Sequence, residues 1–150
     1  MPEYIEIKTG ESIQIDFDGF RASVCRRDVG EDGGYSIELQ GPAEEREVLL
    51  RWDVFRKDPH YHVPASEAKQ INIDSNSPEE SLDFVIDCFA TQLPAMLKRA
   101  EYADFSEKVD QSRMPGIAAE VRRATTRAPE PSSTRRFELT PEILERMGKQ

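Results

Sequence analysis

The sequence predicts an α+β fold: an antiparallel β meander of about five or six strands, followed by a long amphipathic helix packed on one face. Three observations predict it. Apolar and polar residues alternate in short runs through the first half of the chain. A helix-start signal, Ser77-Pro78-Glu79-Glu80, then switches the periodicity to three-and-four spacing. Hydrophobic residues make up 37% of the 150 residues and charged residues 33%, which suffices for one core and leaves part of the chain outside it.

The strands follow in order. Ile5 and Ile7 alternate with Glu6 and Lys8; after Thr9-Gly10-Glu11, Ile13, Ile15 and Phe17 alternate with Gln14 and Asp16. Asp18-Gly19 separates that run from Phe20, Ala22 and Val24. Two residues that accept positive φ, set between alternating runs, mark a tight hairpin. Gly30-Glu31-Asp32-Gly33-Gly34 reads as a loop, and Tyr35, Ile37 and Leu39 as the strand after it, ended by Gly41-Pro42. The run Glu47–Phe55 is the most apolar, with Val48, Leu50, Trp52 and Val54 on one face. Short runs at His60–Val63 and Gln70–Ile73 finish the sheet, and the short connections imply neighbouring antiparallel strands.

Leu82, Val85, Ile86, Phe89, Leu93, Met96, Leu97 and Ala100 form a stripe expected to pack on the sheet from a helix over 78–104. Pro94 lacks an amide hydrogen and is expected to kink or divide it. Ile117, Ala118, Val121 and Ala124 predict a second helix over Pro115–Thr125, and residues 126–136 have linker composition. Thr140-Pro141-Glu142 opens a short terminal helix, with Leu139 stapled to Leu144 and Ile143, Leu144 and Met147 as its apolar edge. The expected organisation is an α+β domain over 1–110, a short helix over 111–125, and a flexible basic tail over 126–150 ending in that helix.

No apolar run reaches the ~18 residues that span a bilayer, and the acidic, alternating N-terminus lacks the pattern of a secretory signal. A cytoplasmic protein is therefore expected. Cys25 and Cys88 stand far apart with no zinc or redox spacing, so they read as buried reduced thiols. The net charge of -9 argues against nucleic-acid binding by the whole surface. The charge is uneven: residues 1–111 hold 12 basic against 24 acidic side chains, residues 112–150 hold 8 against 5. A basic tail on an acidic body can touch the body, a protein partner or RNA.

One polar constellation stands out. Both histidines of the chain lie in Pro59-His60-Tyr61-His62-Val63-Pro64. With Trp52 and Val54 facing the core, Arg51 and Asp53 take the other face of their strand. If the chain turns over Phe55–Pro59 and returns, Tyr61 and Val63 face the core, and His60 and His62 join Arg51 and Asp53 on an outer face. Arg56, Lys57 and Asp58 then lie in the turn above. Such a patch can do three kinds of work. The imidazoles can act as general base and acid on a ribose hydroxyl, with Asp53 orienting a ring and Arg51 stabilising phosphate charge. His60, His62 and Asp53 can bind Zn²⁺ or another transition metal. Or the four are a surface ion pair beside two hydrogen-bonded histidines, which contributes little. No motif calls for a cofactor.

Leu50-Arg51-Trp52-Asp53, Pro59-His60-Tyr61-His62 and Pro78-Glu79-Glu80-Ser81-Leu82 together resemble the TumE-like toxin family of bacterial toxin–antitoxin pairs, over about residues 48–90. The resemblance implies a small bacterial or archaeal protein with a cognate antitoxin as partner and RNA as substrate, with Arg51, Asp53, His60 and His62 as site residues. The competing expectation is a non-catalytic interaction module that engages a protein through its helix face or C-terminal segment.

Overall fold

The computed structural model describes residues 3–42, 46–67 and 69–146. Eight antiparallel strands form one sheet: β1 Tyr4–Thr9, β2 Ile13–Phe17, β3 Phe20–Val29, β4 Asp32–Gln40, β5 Val48–Phe55, β6 His60–His62, β7 Ile71–Asn72 and β8 Ser133–Glu138. The α+β class and the meander are as the alternation predicts, since β2 to β7 pair consecutively. The strand count is higher than predicted, and β8 is the strand that the sequence reading lacks. β3 runs five residues past Val24, far enough to pair with β1, and β8 extends the sheet beyond it.

Local chemistry explains the hairpins. Asp18 and Gly19 both take positive φ, at 48° and 88°, as a two-residue turn between β2 and β3 requires. β3 is long enough to serve two partners, β2 along Phe20–Val24 and β1 along Arg27–Val29. Gly10 makes the switch between them: its amide donates to Arg26 O at 2.8 Å, and a Cβ there would stand 2.5 Å from Pro129 O. Only glycine lets the chain before β8 cross so closely.

The sequence reads 126–136 as linker, yet β8 pairs with β1 over six positions, from Tyr4↔Glu138 to Thr9↔Ser133. Its side chains are mostly exposed, so the pairing is chiefly a backbone ladder, with Arg136 stacked on Tyr4 and Arg135 on Phe137. A linker-like composition does not prevent pairing where an open edge supplies the hydrogen bonds. The terminal helix α5 spans Pro141–Arg146; the apolar edge predicted for it, with the Leu139–Leu144 staple, lies outside the described side chains.

The helical layer starts where the capping box predicts. In α1 (Pro78–Asp87) Ser77 Oγ accepts from Glu80 N at 3.2 Å, and the Glu80 carboxylate reaches back to Asn76 N at 2.6 Å. Ser77→Ala is expected to cost about 1 kcal/mol, read as a lowered urea midpoint with an unchanged slope. The predicted single helix over 78–104 is divided next to Pro94, as its missing amide hydrogen predicts. A π-helical turn, Cys88–Gln92, separates α1 from α2 (Leu93–Arg99); Pro94, in the first turn of α2, has no hydrogen for Ala90 O inside that turn, and this carbonyl accepts from Gln111 Nε2 instead. Spacing adds a second reason. The buried residues Val85, Phe89, Leu93 and Leu97 are four apart, and each four-residue step overshoots a straight α-helix by about 40°. A wider turn in the middle absorbs that drift and keeps all four on the sheet.

The short α3 (Ala103–Ser106) and α4 (Met114–Arg127) complete the layer. Ile117, Ala118, Val121 and Ala124 of α4 are buried, as their spacing predicts, so this helix belongs to the core. Trp52 lies at the centre, its ring 5.0 Å from that of Phe89. Five residues of the predicted stripe, Val85, Phe89, Leu93, Leu97 and Ala100, are buried inside the protein, and Leu82, Ile86 and Met96 are half-buried against them. Among the described residues, no helix is long and apolar enough to cross a membrane.

Candidate functional site

Strand phase brings Arg51, Asp53, His60 and His62 together as predicted. β5 and β6 pair with Arg51 opposite His62, Trp52 opposite Tyr61 and Asp53 opposite His60. Trp52 is buried toward the helices, so the four polar side chains share the opposite face.

That face is not a surface, and here the expectation of an exposed patch is corrected. Asp53 is 2% exposed, His60 4% and His62 3%. Leu49 and Phe55, on the same face of β5, are buried as well. The cover comes from neighbours that alternation does not reveal. After β6 the chain folds back, so that Ala65 N donates to Leu49 O at 2.8 Å and Glu67 O accepts from His62 Nδ1 at 2.8 Å. Phe55 stands edge-on to His60, with ring centroids 5.8 Å apart. The turn before β6 is fixed by Asp32, whose carboxylate accepts from Lys57 N at 2.9 Å and Asp58 N at 3.0 Å.

Asp53 is the hub. Its Oδ1 accepts from Ser36 Oγ at 2.8 Å and lies 3.8 Å from an Arg27 guanidinium nitrogen. Its Oδ2 lies 3.0 Å from His60 Nε2, 3.3 Å from Arg51 Nε and 3.8 Å from His62 Nε2. Both rings are turned the same way by their other nitrogen. His60 Nδ1 meets Asp58 O at 2.8 Å, and His62 Nδ1 meets Glu67 O. A carbonyl only accepts, so both Nδ1 atoms carry hydrogen and both Nε2 atoms face Asp53.

The cluster pulls its members apart electrostatically. Burial alone would raise the Asp53 pKa, but the His60 hydrogen bond, the charges of Arg51 and His60, and the Ser36 hydroxyl outweigh it and hold it at about 2. Burial would likewise favour neutral His60, but the hydrogen bond and charge of Asp53 raise its pKa above the ordinary value. His62 goes the other way: burial, then the Arg51 charge, lower it. His62 Nε2 is buried without a hydrogen-bond partner among the described residues.

Asp53, His60 and His62 also form a possible cation cage, since one ligand atom from each lies within 4.8 Å of the others. Nitrogen and oxygen donors of this kind suit zinc and its first-row neighbours, and each histidine already has the outer hydrogen bond that metal-bound imidazoles use. Sequence reasoning missed two members of the site. Ser36 lies opposite Asp53 across the β4–β5 ladder, and its alternation with Ile37 placed it on the right face without naming it. Arg27 lies beyond the predicted end of β3, so no signal marked it. Of the two thiols expected to be buried, Cys88 is and Cys25, opposite Ser36, is half-buried; burial raises the pKa of Cys25 and pushes that of Cys88, beside Trp52, up to about 12.

No curated protein and no solved structure matches the chain. The comparisons do not show the resemblance to the TumE-like toxins. A family model described as "Domain of unknown function (DUF7700)" matches residues 14–125, which takes in the four site residues, Arg27, Ser36 and α1 to α3, but neither β1 nor β8. The match covers most of the chain, and the protein belongs to the DUF7700 family.

Proposed function

We propose that this domain is a divalent-metal protein in which Asp53, His60 and His62 are the ligands. The observation that carries the reading is the convergence of three buried donor atoms within 4.8 Å, with both imidazoles oriented by backbone carbonyls. Three protein ligands leave coordination positions open, which is the arrangement of a reactive rather than a purely structural metal. The ion would be a Lewis acid in a nearly dry site, with Ser36 holding the free oxygen of Asp53 and Arg51 at its rim.

Calorimetric titration of chelator-stripped protein with Zn²⁺ tests it. One site per chain is expected, weakened by about 100-fold or more in His62→Gln and in Asp53→Asn, with circular dichroism confirming that each variant folds. Cobalt loading should give ligand-field bands without thiolate charge transfer. No uptake by wild type, or uptake that survives loss of both histidines, sinks the reading.

The toxin-like reading uses Arg51, Asp53, His60 and His62 without metal, on RNA phosphodiesters. It is favoured by the direct 3.0 Å contact of His60 with Asp53, by which a carboxylate orients an imidazole. It ranks second because both rings are covered. RNA cleavage in excess chelator, lost in His60→Ala/His62→Ala, would put it first.

A further inference from the structure

We infer that the metal-loaded site takes a phosphoryl oxyanion as its further ligand, held by Arg51 and Arg27; this rests on the metal reading. Charge is the first argument. Asp53 lies within 4.0 Å of both guanidiniums. One carboxylate therefore faces two fixed positive charges before any ion arrives. A divalent cation on the same carboxylate leaves an excess of three positive charges. Glu38, opposite Arg51 across the β4–β5 ladder, and Asp58, 3.9 Å from His60 Nδ1, lower the excess to one. Such an excess in a covered site calls for an anion.

Position is the second argument. The three ligand residues are buried, whereas the Arg51 and Arg27 side chains are 31% and 24% exposed, so the arginines are the part of the site that reaches solvent. Arg51 Nε is a buried donor with no aligned acceptor among the described residues, although it lies 3.3 Å from Asp53. When a metal draws on Oδ2, the oxygen nearest that donor, the guanidinium is left short of an acceptor. A phosphoryl group supplies several acceptors in the planar geometry that arginine matches. A phosphoryl group also offers one more oxygen than a carboxylate for facing the metal and two arginines together.

Cobalt-loaded protein titrated with inorganic phosphate, and separately with dimethyl phosphate, tests the inference by the visible spectrum. Phosphate is expected to shift the cobalt bands and to bind at least about tenfold more tightly than to metal-free protein, the two ligands being reciprocally coupled. Arg51→Gln is expected to lose most of that affinity, Arg51→Lys less, and Arg27→Gln serves where an Arg51 variant folds poorly. The dimethyl phosphate arm decides whether the group is a diester or a more highly charged phosphate. A chain that takes up no cobalt overturns the metal reading and this inference with it. A chain that takes up cobalt but shows no band shift, or the same affinity in both Arg51 variants and in Arg27→Gln, overturns this inference alone.

Discussion

Trp52→Ala is expected to destabilise the protein by about 4 kcal/mol, the upper range for truncating a buried aromatic. The indole is fully buried in β5, packs 5.0 Å from the Phe89 ring, and stands against the π-helical turn that keeps α1 and α2 in phase. Removing it leaves a cavity bordered by the sheet and by that turn. Neither can collapse easily, because the sheet is held by its ladders and the turn by four anchored side chains. Against a typical domain stability of about 5 to 15 kcal/mol, the loss is severe. Urea unfolding should show a much lower midpoint at an unchanged slope. A loss below about 1 kcal/mol would mean that the helical layer does not rest on the indole.

Asp53→Asn is expected to cost about 3 kcal/mol at neutral pH in the metal-free protein, because two guanidiniums lose their shared counter-charge and His60 Nε2 loses its carboxylate partner. The pH dependence gives the sharper test. The folded pKa of about 2 lies below the ordinary 3.8, so this carboxylate contributes stability above pH 4 that is lost as the pH falls toward 2. The amount is about 2 to 3 kcal/mol. The gap between wild type and variant should therefore narrow on acidification over that window. His60 adds an opposite limb. Its raised pKa contributes stability below pH 6.5, lost as the pH rises through the folded value, and Asp53→Asn removes that limb too. The lowered His62 pKa works in the reverse sense, giving stability above pH 6.5 that fades on acidification. Parallel curves for wild type and variant from pH 2 to 5 would contradict the assignment of Asp53 as the ionised hub.

Much of the fold can be read directly from neighbours in the chain. Strict alternation at Ile13–Phe17 and Trp52–Val54, the Asp18-Gly19 turn and the Ser77 cap are local signals, set by side-chain period and backbone φ. Their consequences appear where predicted. The same alternation placed Arg51, Asp53, His60 and His62 on one face, because a residue's side of a strand depends only on its phase. Elements whose cause is distant were not legible. β8 exists because β1 offers an edge more than a hundred residues away. Pro94 marks the place of the break at Cys88–Gln92, but its π-helical form suits which residues the sheet needs on one face.

By itself, the sequence determined the α+β class, the order of the strands from β2 to β7, the helix start and the company that Asp53 keeps. Only the tertiary structure decided that this company lies under cover, that Arg27 and Ser36 join it, and that both Nε2 atoms turn inward. The physical reason is that phase is a property of one strand, whereas burial depends on what folds over it. Here that is a return of chain through Ala65 and Glu67, fixed by two hydrogen bonds, which turns a polar sheet face into a closed, charged centre.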